Sequence, residues 1–264
     1  TQRNSKARSH VAFTMAQPFL FSATFDGSYG VNHMNGTAGK RETSSSNFGT
    51  SGLFEIGRSA GGGAPFNGGI SEIIIYDFGL SESSRLKAEG HLAHKWGLVN
   101  ELPALHPFKN SLTTSAAPVV SGPFSPANLA GLELWLDAHA VPASSGTISQ
   151  WTDHSGKGRH AVQSNSNRRP SVVSNAMGGK KVIRFDDDSM SVGTIRTALG
   201  AVNAFAVVQS SDTDTGNWQR VIASYNGSGS GNDYTAPNWN VGRPMLTSSG
   251  VPQVFGSRLI MGTY

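Results

Sequence analysis

His91 and His94 stand three residues apart, a spacing that on a helix puts two imidazoles on one face and lets them share a metal ion. No Glu follows in H-E-x-x-H register and no third ligand stands nearby, so the pair reads as part of a structural helix. Asp186-Asp187-Asp188 offers hard oxygen ligands of the kind Ca²⁺ takes, without EF-hand spacing. An acidic turn facing water explains the run equally well, and calcium is the one cofactor these residues suggest. Trp218, Tyr234 and Trp239 lie in polar, turn-rich surroundings (TGNWQR, GNDYTAPNWN), where an aromatic face can stack on a pyranose ring. The alternative is that they fill gaps between sheets or subunits. A glycan hydrolase needs two carboxylates about 5–10 Å apart. Glu133 with Asp137 lacks the E-x-D-x-x-E spacing of a catalytic strand, and Glu72 with Asp77 falls on opposite faces. No phosphate-binding G-x-x-x-x-G-K-[ST] occurs, and the Gly61–Gly63 run has no Lys-Ser/Thr after it. The chain reads as a non-enzyme.

The elements that must carry these residues are mostly strands. Gly 32, Pro 12 and 14% charged residues suit many short strands joined by turns. Cys is absent, so disulfides and thiolate metal sites are excluded. Net charge is +4, with Arg3, Lys6, Arg8 and His10 clustered at the start; this reads as a solvated tail, and no nucleic-acid partner is implied. No apolar run approaches the ~18 residues of a membrane span. Asn35-Gly36 favours a hairpin, and Asn35 and Asn226 also head N-glycosylation sequons. Asp153 is placed to accept backbone N–H bonds within its own turn.

The most structured stretch is Gly68–Leu98, GGISEIIIYDFGLSESSRLKAEGHLAHKWGL. Ile70–Tyr76 is apolar on both faces, as in a strand covered on both sides. Ser81 is suited to N-cap a helix that Gly97 ends in the left-handed conformation, giving a helix over about 81–97. Leu86, Ala93 and Trp96 form its apolar stripe, with Lys87, Glu89 and Lys95 off it. Pro103–Pro126 loses apolar periodicity and reads as linker.

Two strings carry a resemblance. Phe66–Gly97, above all GISEIIIYD…LS and HLAHKWGL, resembles the C-terminal end of a laminin-G-like, concanavalin-A-like jelly-roll domain of the bacterial and phage type. Gly131–Phe185, with LELWLDA, W-x-D-x-S-G-x-G-x-x-A and KVIRFD, resembles the N-terminal end of the same family. The resemblance implies an all-β jelly-roll sandwich with one short capping helix. It leaves activity open, because that fold hosts lectins, hydrolases and structural modules.

The order of the two strings is inverted: the end comes before the beginning. Residues 1–106 therefore read as the C-terminal half of a jelly roll, 107–124 as linker and 125–264 as the N-terminal half. Three arrangements account for this: circular permutation within one chain, an excerpt of a tandem array, or halves completed by a neighbouring subunit. The expected function is an extracellular structural or adhesive repeat, at a cell or virion surface, whose partner is itself in a fibre or filament. The alternative is a glycan-binding module of a tail fibre or adhesin, with a cell-surface glycan as partner.

Overall fold

The computed structural model describes residues 17–26, 29–39, 41–43, 53–58, 65–110, 124–195, 201–211, 220–225, 238–242, 245–246, 252–253 and 259–260. The strands before the linker are β1 (Phe19–Phe25), β2 (Tyr29–Met34), β3 (Thr37–Ala38), β4 (Glu42–Thr43), β5 (Leu53–Ile56) and β6 (Gly68–Tyr76). The helix α1 (Glu82–Trp96) follows β6. After the linker come β7 (Leu132–Asp137), β8 (Gly146–Thr147), β9 (Gln150–Trp151), β10 (Ala161–Val162), β11 (Ser171–Met177), β12 (Lys180–Phe185) and β13 (Met190–Thr194). The last are β14 (Val202–Ser210), β15 (Arg220–Tyr225), β16 (Asn238–Gly242), β17 (Met245–Leu246), β18 (Pro252–Gln253) and β19 (Leu259–Ile260).

These strands make an all-β protein of large antiparallel sheets. A ten-stranded sheet runs β3-β2-β1-β14-β6-β12-β11-β8, with β4 beside β2 and β7 beside β6. A seven-stranded sheet runs β19-β16-β15-β5-β13-β10-β9. Strands from the two sides of the linker are interleaved in both. β14 lies between β1 and β6, and β5 lies between β13 and β15.

The central strand is β6, and its environment explains its composition. One edge pairs with β14 along Gly68–Tyr76. The other is shared: β12 takes Gly68–Ile70, and β7 takes Glu72–Tyr76. Every residue of β6 is buried. A strand paired on both edges and covered on both faces has no position for a solvated side chain, hence the three isoleucines at 73–75. The register with β14 steps from Glu72 opposite Val207 to Ile70 opposite Val208, a bulge at Ser71. Ile70, Ile73 and Ile75 thereby face the inter-sheet core, while Ile74 and Tyr76 join the core beneath α1.

The molecule thus has three layers. Phe21, Phe25, Ile183 and Phe185 of the large sheet pack against Phe54, Ile56 and Trp151 of the small one. On the large sheet's opposite face, Leu20, Phe205 and Val207 meet Ala88, Leu92, Ala93 and Trp96 of α1. The helix is delimited as its sequence predicts. The Ser81 hydroxyl accepts from the Ser84 N–H, and Gly97 sits at φ 75°. Asn35 and Gly36, both with positive φ, form the β2–β3 hairpin turn.

The helix face differs from the predicted stripe. Leu86 is half-buried, whereas Arg85, Ala88, Glu89, Leu92, Ala93 and Trp96 are buried. Glu89, expected off the stripe, is on it. The buried positions still recur at helical spacing, but two are charged and satisfy one another. Ordered packing also continues into the linker-like composition: His106 and Phe108 are buried. Phe108 lies over Gly90, where an added Cβ would fall 2.4 Å from the Phe108 Cβ. Gly90→Ala is therefore expected to lower stability by about 1–3 kcal/mol, although alanine is the better helix former. A variant melting at or above the parent temperature would show that this segment does not press on the helix.

Candidate functional site

The charged chemistry of the described chain is concentrated between α1 and the large sheet, in two adjoining clusters. The first centres on Glu72, whose carboxylate has no exposed surface. Its Oε2 accepts from the Trp96 indole N–H at 2.6 Å, and its Oε1 from the Trp135 indole N–H at 2.7 Å. Lys95 Nζ lies 2.7 Å from Oε2 and donates to Asp137 Oδ2 at 2.8 Å. Asp137 Oδ1 accepts from the backbone N–H of His139 at 2.9 Å. Strand pairing sets this cluster, because Glu72 and Asp137 are direct partners in the β6–β7 ladder. Helical periodicity brings Lys95 and Trp96 over them. Burial pushes the Glu72 carboxyl up; Lys95 opposes this and the Asp137 charge adds to it.

The second cluster centres on Glu89, likewise without exposed surface. The Arg85 guanidinium donates to both carboxylate oxygens at 2.7 Å, one helical turn away. The Ser22 hydroxyl of β1 donates at 2.5 Å, and His106 Nε2 lies 3.4 Å away. Burial alone would raise the Glu89 carboxyl, but His106, Arg85, His33 and Ser22 hold it below the usual range. His33 completes the group from β2, with an imidazole Nδ1 that finds no hydrogen-bond partner among the described residues.

The residues singled out by type fall elsewhere. His94 Nε2 is 2.8 Å from the Phe108 carbonyl oxygen, and the His91 ring packs on Phe124. The two histidines serve different contacts. Asp186-Asp187-Asp188 forms the turn after β12, with Asp187 at φ 55°. The Asp186 N–H donates to Asp188 Oδ2 at 3.0 Å, and Arg168 Nη1 lies 3.2 Å from Asp187 Oδ2. Among the described residues, no three His, Cys, Asp or Glu side chains converge as a metal site would require. Trp218 and Tyr234 lie outside the described residues, and Trp239 is described through its backbone in β16.

Asp153 has the role expected of it. It accepts from the backbone N–H groups of Trp135, Ser155 and Arg159 at 3.0, 2.9 and 2.9 Å. Burial acts to raise its carboxyl, and these bonds hold it down. Beside this turn, Glu133 is paired with Arg159 and Lys157.

A groove of about 380 Å³ opens on the small sheet. Neighbouring strands contribute Glu55, Ser191 and Val162, and the loops between strands add Ser149, Gln163, Ser164, Arg169 and Ser189. Burial raises the Glu55 carboxyl, against the pull of Arg58. Val162 is 47% exposed at the rim. The groove was not apparent from spacing, because its residues come from three strands and three loops.

The layer beneath α1 also sets a pH limit. Burial, followed by the Arg85 charge, lowers the His33 pKa from 6.5 to about 4. Protonation is therefore easier in the unfolded chain than in the folded one. His33 favours the fold fully above pH 6.5, and that contribution fades as pH falls toward 4. The shift corresponds to about 3 kcal/mol. Urea midpoints measured from pH 7 to 4 are expected to fall, and less steeply for His33→Gln. Equal slopes would remove His33 as the cause. Comparisons with family models, with curated proteins and with solved structures returned no match to this chain.

Proposed function

We propose that this chain is a concanavalin-A-like jelly-roll module of the laminin-G-like type, with its halves in permuted order and closed on each other within one chain. It serves as an extracellular structural or adhesive repeat, and its work is mechanical. The observation that carries this reading is the pairing of β6. Both edges of this strand from before the linker are occupied by β14, β12 and β7 from after it. A neighbouring subunit then has no edge of β6 left to complete, so any fibre is built from closed modules placed in tandem. The inverted order of HKWGL and LWLDA supports the permutation. The buried charges support the mechanical role, since Glu72 and Glu89 hold the helix to the sheet.

Sedimentation or light scattering is expected to give a monomer near 27.8 kDa at all concentrations. Concentration-dependent polymers would favour complementation between chains instead.

The groove on the small sheet favours a second reading, as a glycan-binding module. Serine hydroxyls, the Gln163 amide and the Glu55 carboxylate present donors and acceptors beside the apolar Val162, a mixture suited to a sugar's hydroxyls and C–H faces. On a glycan array, Glu55→Gln is expected to weaken binding at least tenfold, about 1.4 kcal/mol. No binding by the parent protein would end this reading.

A further inference from the structure

The contact between Lys95 and Asp137 joins segments that lie on opposite sides of the linker. Its surroundings exceed what an ion pair needs. Nζ is within 2.8 Å of Asp137 Oδ2 and within 2.7 Å of Glu72 Oε2, so an amine and two carboxyl groups converge at one point. The side chains of Lys95, Asp137 and Glu72 are 17%, 12% and 0% exposed. The opposite oxygen of Asp137, Oδ1, is held by the His139 backbone N–H. Two indole N–H groups fix Glu72 from α1 and β7. A nucleophile, an acyl carbon, a proton carrier and an oxyanion donor are all in place, with water largely excluded.

We propose that Lys95 and Asp137 condense into an intramolecular amide, Nζ to Cγ, with Glu72 as the proton carrier. A proton first passes from Nζ to Glu72 Oε2, which frees the nitrogen lone pair. Glu72 hands that proton to Asp137 Oδ2, and Nζ attacks Cγ. The resulting tetrahedral centre carries its negative charge on Oδ1, opposite the His139 N–H. Glu72 takes the surplus proton from the nitrogen and delivers it to Oδ2, the Cγ–O bond breaks, and Oδ2 leaves as water. Glu72 ends as the carboxylate it began as. One C–N bond replaces one C–O bond, water is the leaving group, and no redox partner is required.

Burial pushes the Glu72 carboxyl up against the opposing Lys95 charge, which suits a group that must both take and release a proton. Condensation removes the ammonium and one carboxylate together, so the net charge of the buried layer is unchanged, and the two indole N–H groups hold the Glu72 carboxylate that remains. The amide rests on this local geometry and is independent of whether the module is structural or glycan-binding.

The test is the intact mass of the full chain, folded, incubated and then denatured. The parent protein is expected to be lighter than its sequence by one water. Its proteolytic digest should contain a branched peptide joining Lys95 to Asp137. Lys95→Arg keeps the positive charge but cannot form the bond, and Glu72→Gln removes the proton carrier; both should show the full sequence mass. Asp137→Asn should give the same branched peptide, with ammonia leaving in place of water. The proposal is overturned by a parent that melts cooperatively yet has its full mass and no branched peptide. Water loss that persists in Lys95→Arg would overturn it equally, because the lost water would then come from another site.

Discussion

β6 is paired along both edges and buried on both faces, and that condition controls the order in which the rest of the fold can assemble. None of its flanking partners is local in sequence: β14, β12 and β7 all lie beyond the linker. The strand nearest to it in the chain, β5, belongs to the other sheet. The large sheet consequently cannot be half-built. Until the second half of the chain arrives, a strand carrying four isoleucines and a tyrosine has neither edge partners nor cover, a state prone to aggregation. Long-range pairing of this kind is slow to form, because loop closure must be paid for before the contacts stabilise anything.

The polar layer beneath α1 answers a different requirement. An apolar helix face on an apolar sheet face buries area but specifies position weakly, since neighbouring registers bury similar areas. Glu72 and Glu89 remove that freedom. Each is fully buried and therefore costly unless its own partners are in place: Trp96, Trp135 and Lys95 for one, Arg85 and Ser22 for the other. Sliding the helix by one turn would strand both carboxylates. The bulge at Ser71 belongs to the same device. Without it Glu72 would share a face with Ile70 and point between the sheets.

This explains which parts of the structure were legible in the sequence. The helix limits follow from local chemistry, a serine hydroxyl at one end and a left-handed glycine at the other, and they agree with α1. The Asn35-Gly36 hairpin was legible from the same kind of local chemistry, and the Ile70–Tyr76 strand from its apolar, β-branched run. The Asp153 turn was legible because its bonds are largely local. β11 and β13 were not legible: β11 is exposed along Ser174–Ala176, β13 is short with a glycine inside it, and each carries a register shift. The site was least legible. Glu89 is expected off the apolar stripe, and its i, i+4 spacing from Arg85 is ordinary for a solvated helix face. Only the pairing of Ser22 on β1 and His106 beyond the helix with the same carboxylate reveals the buried cluster. A carboxylate among isoleucines at Glu72 was the one available signal that a charge inside needed partners.

The proposed permutation and the Lys95–Asp137 contact bear on each other. In a chain whose two halves meet only through non-covalent pairing, the linker sets the entropy of their encounter. An amide from α1 to β7 would close a loop of 42 residues that contains the linker. By the chain-entropy argument used for disulfides, closing such a loop disfavours the unfolded state by about 4 kcal/mol. The gain is located where it is needed, at the junction between the halves and next to the strand that depends on both. It also needs no cysteine, and the chain has none. Formation requires the native register of α1 on β6 and β7, because the three reacting groups come from three elements. The bond would therefore lock the fold without directing it, forming after the helix has docked and never in its absence.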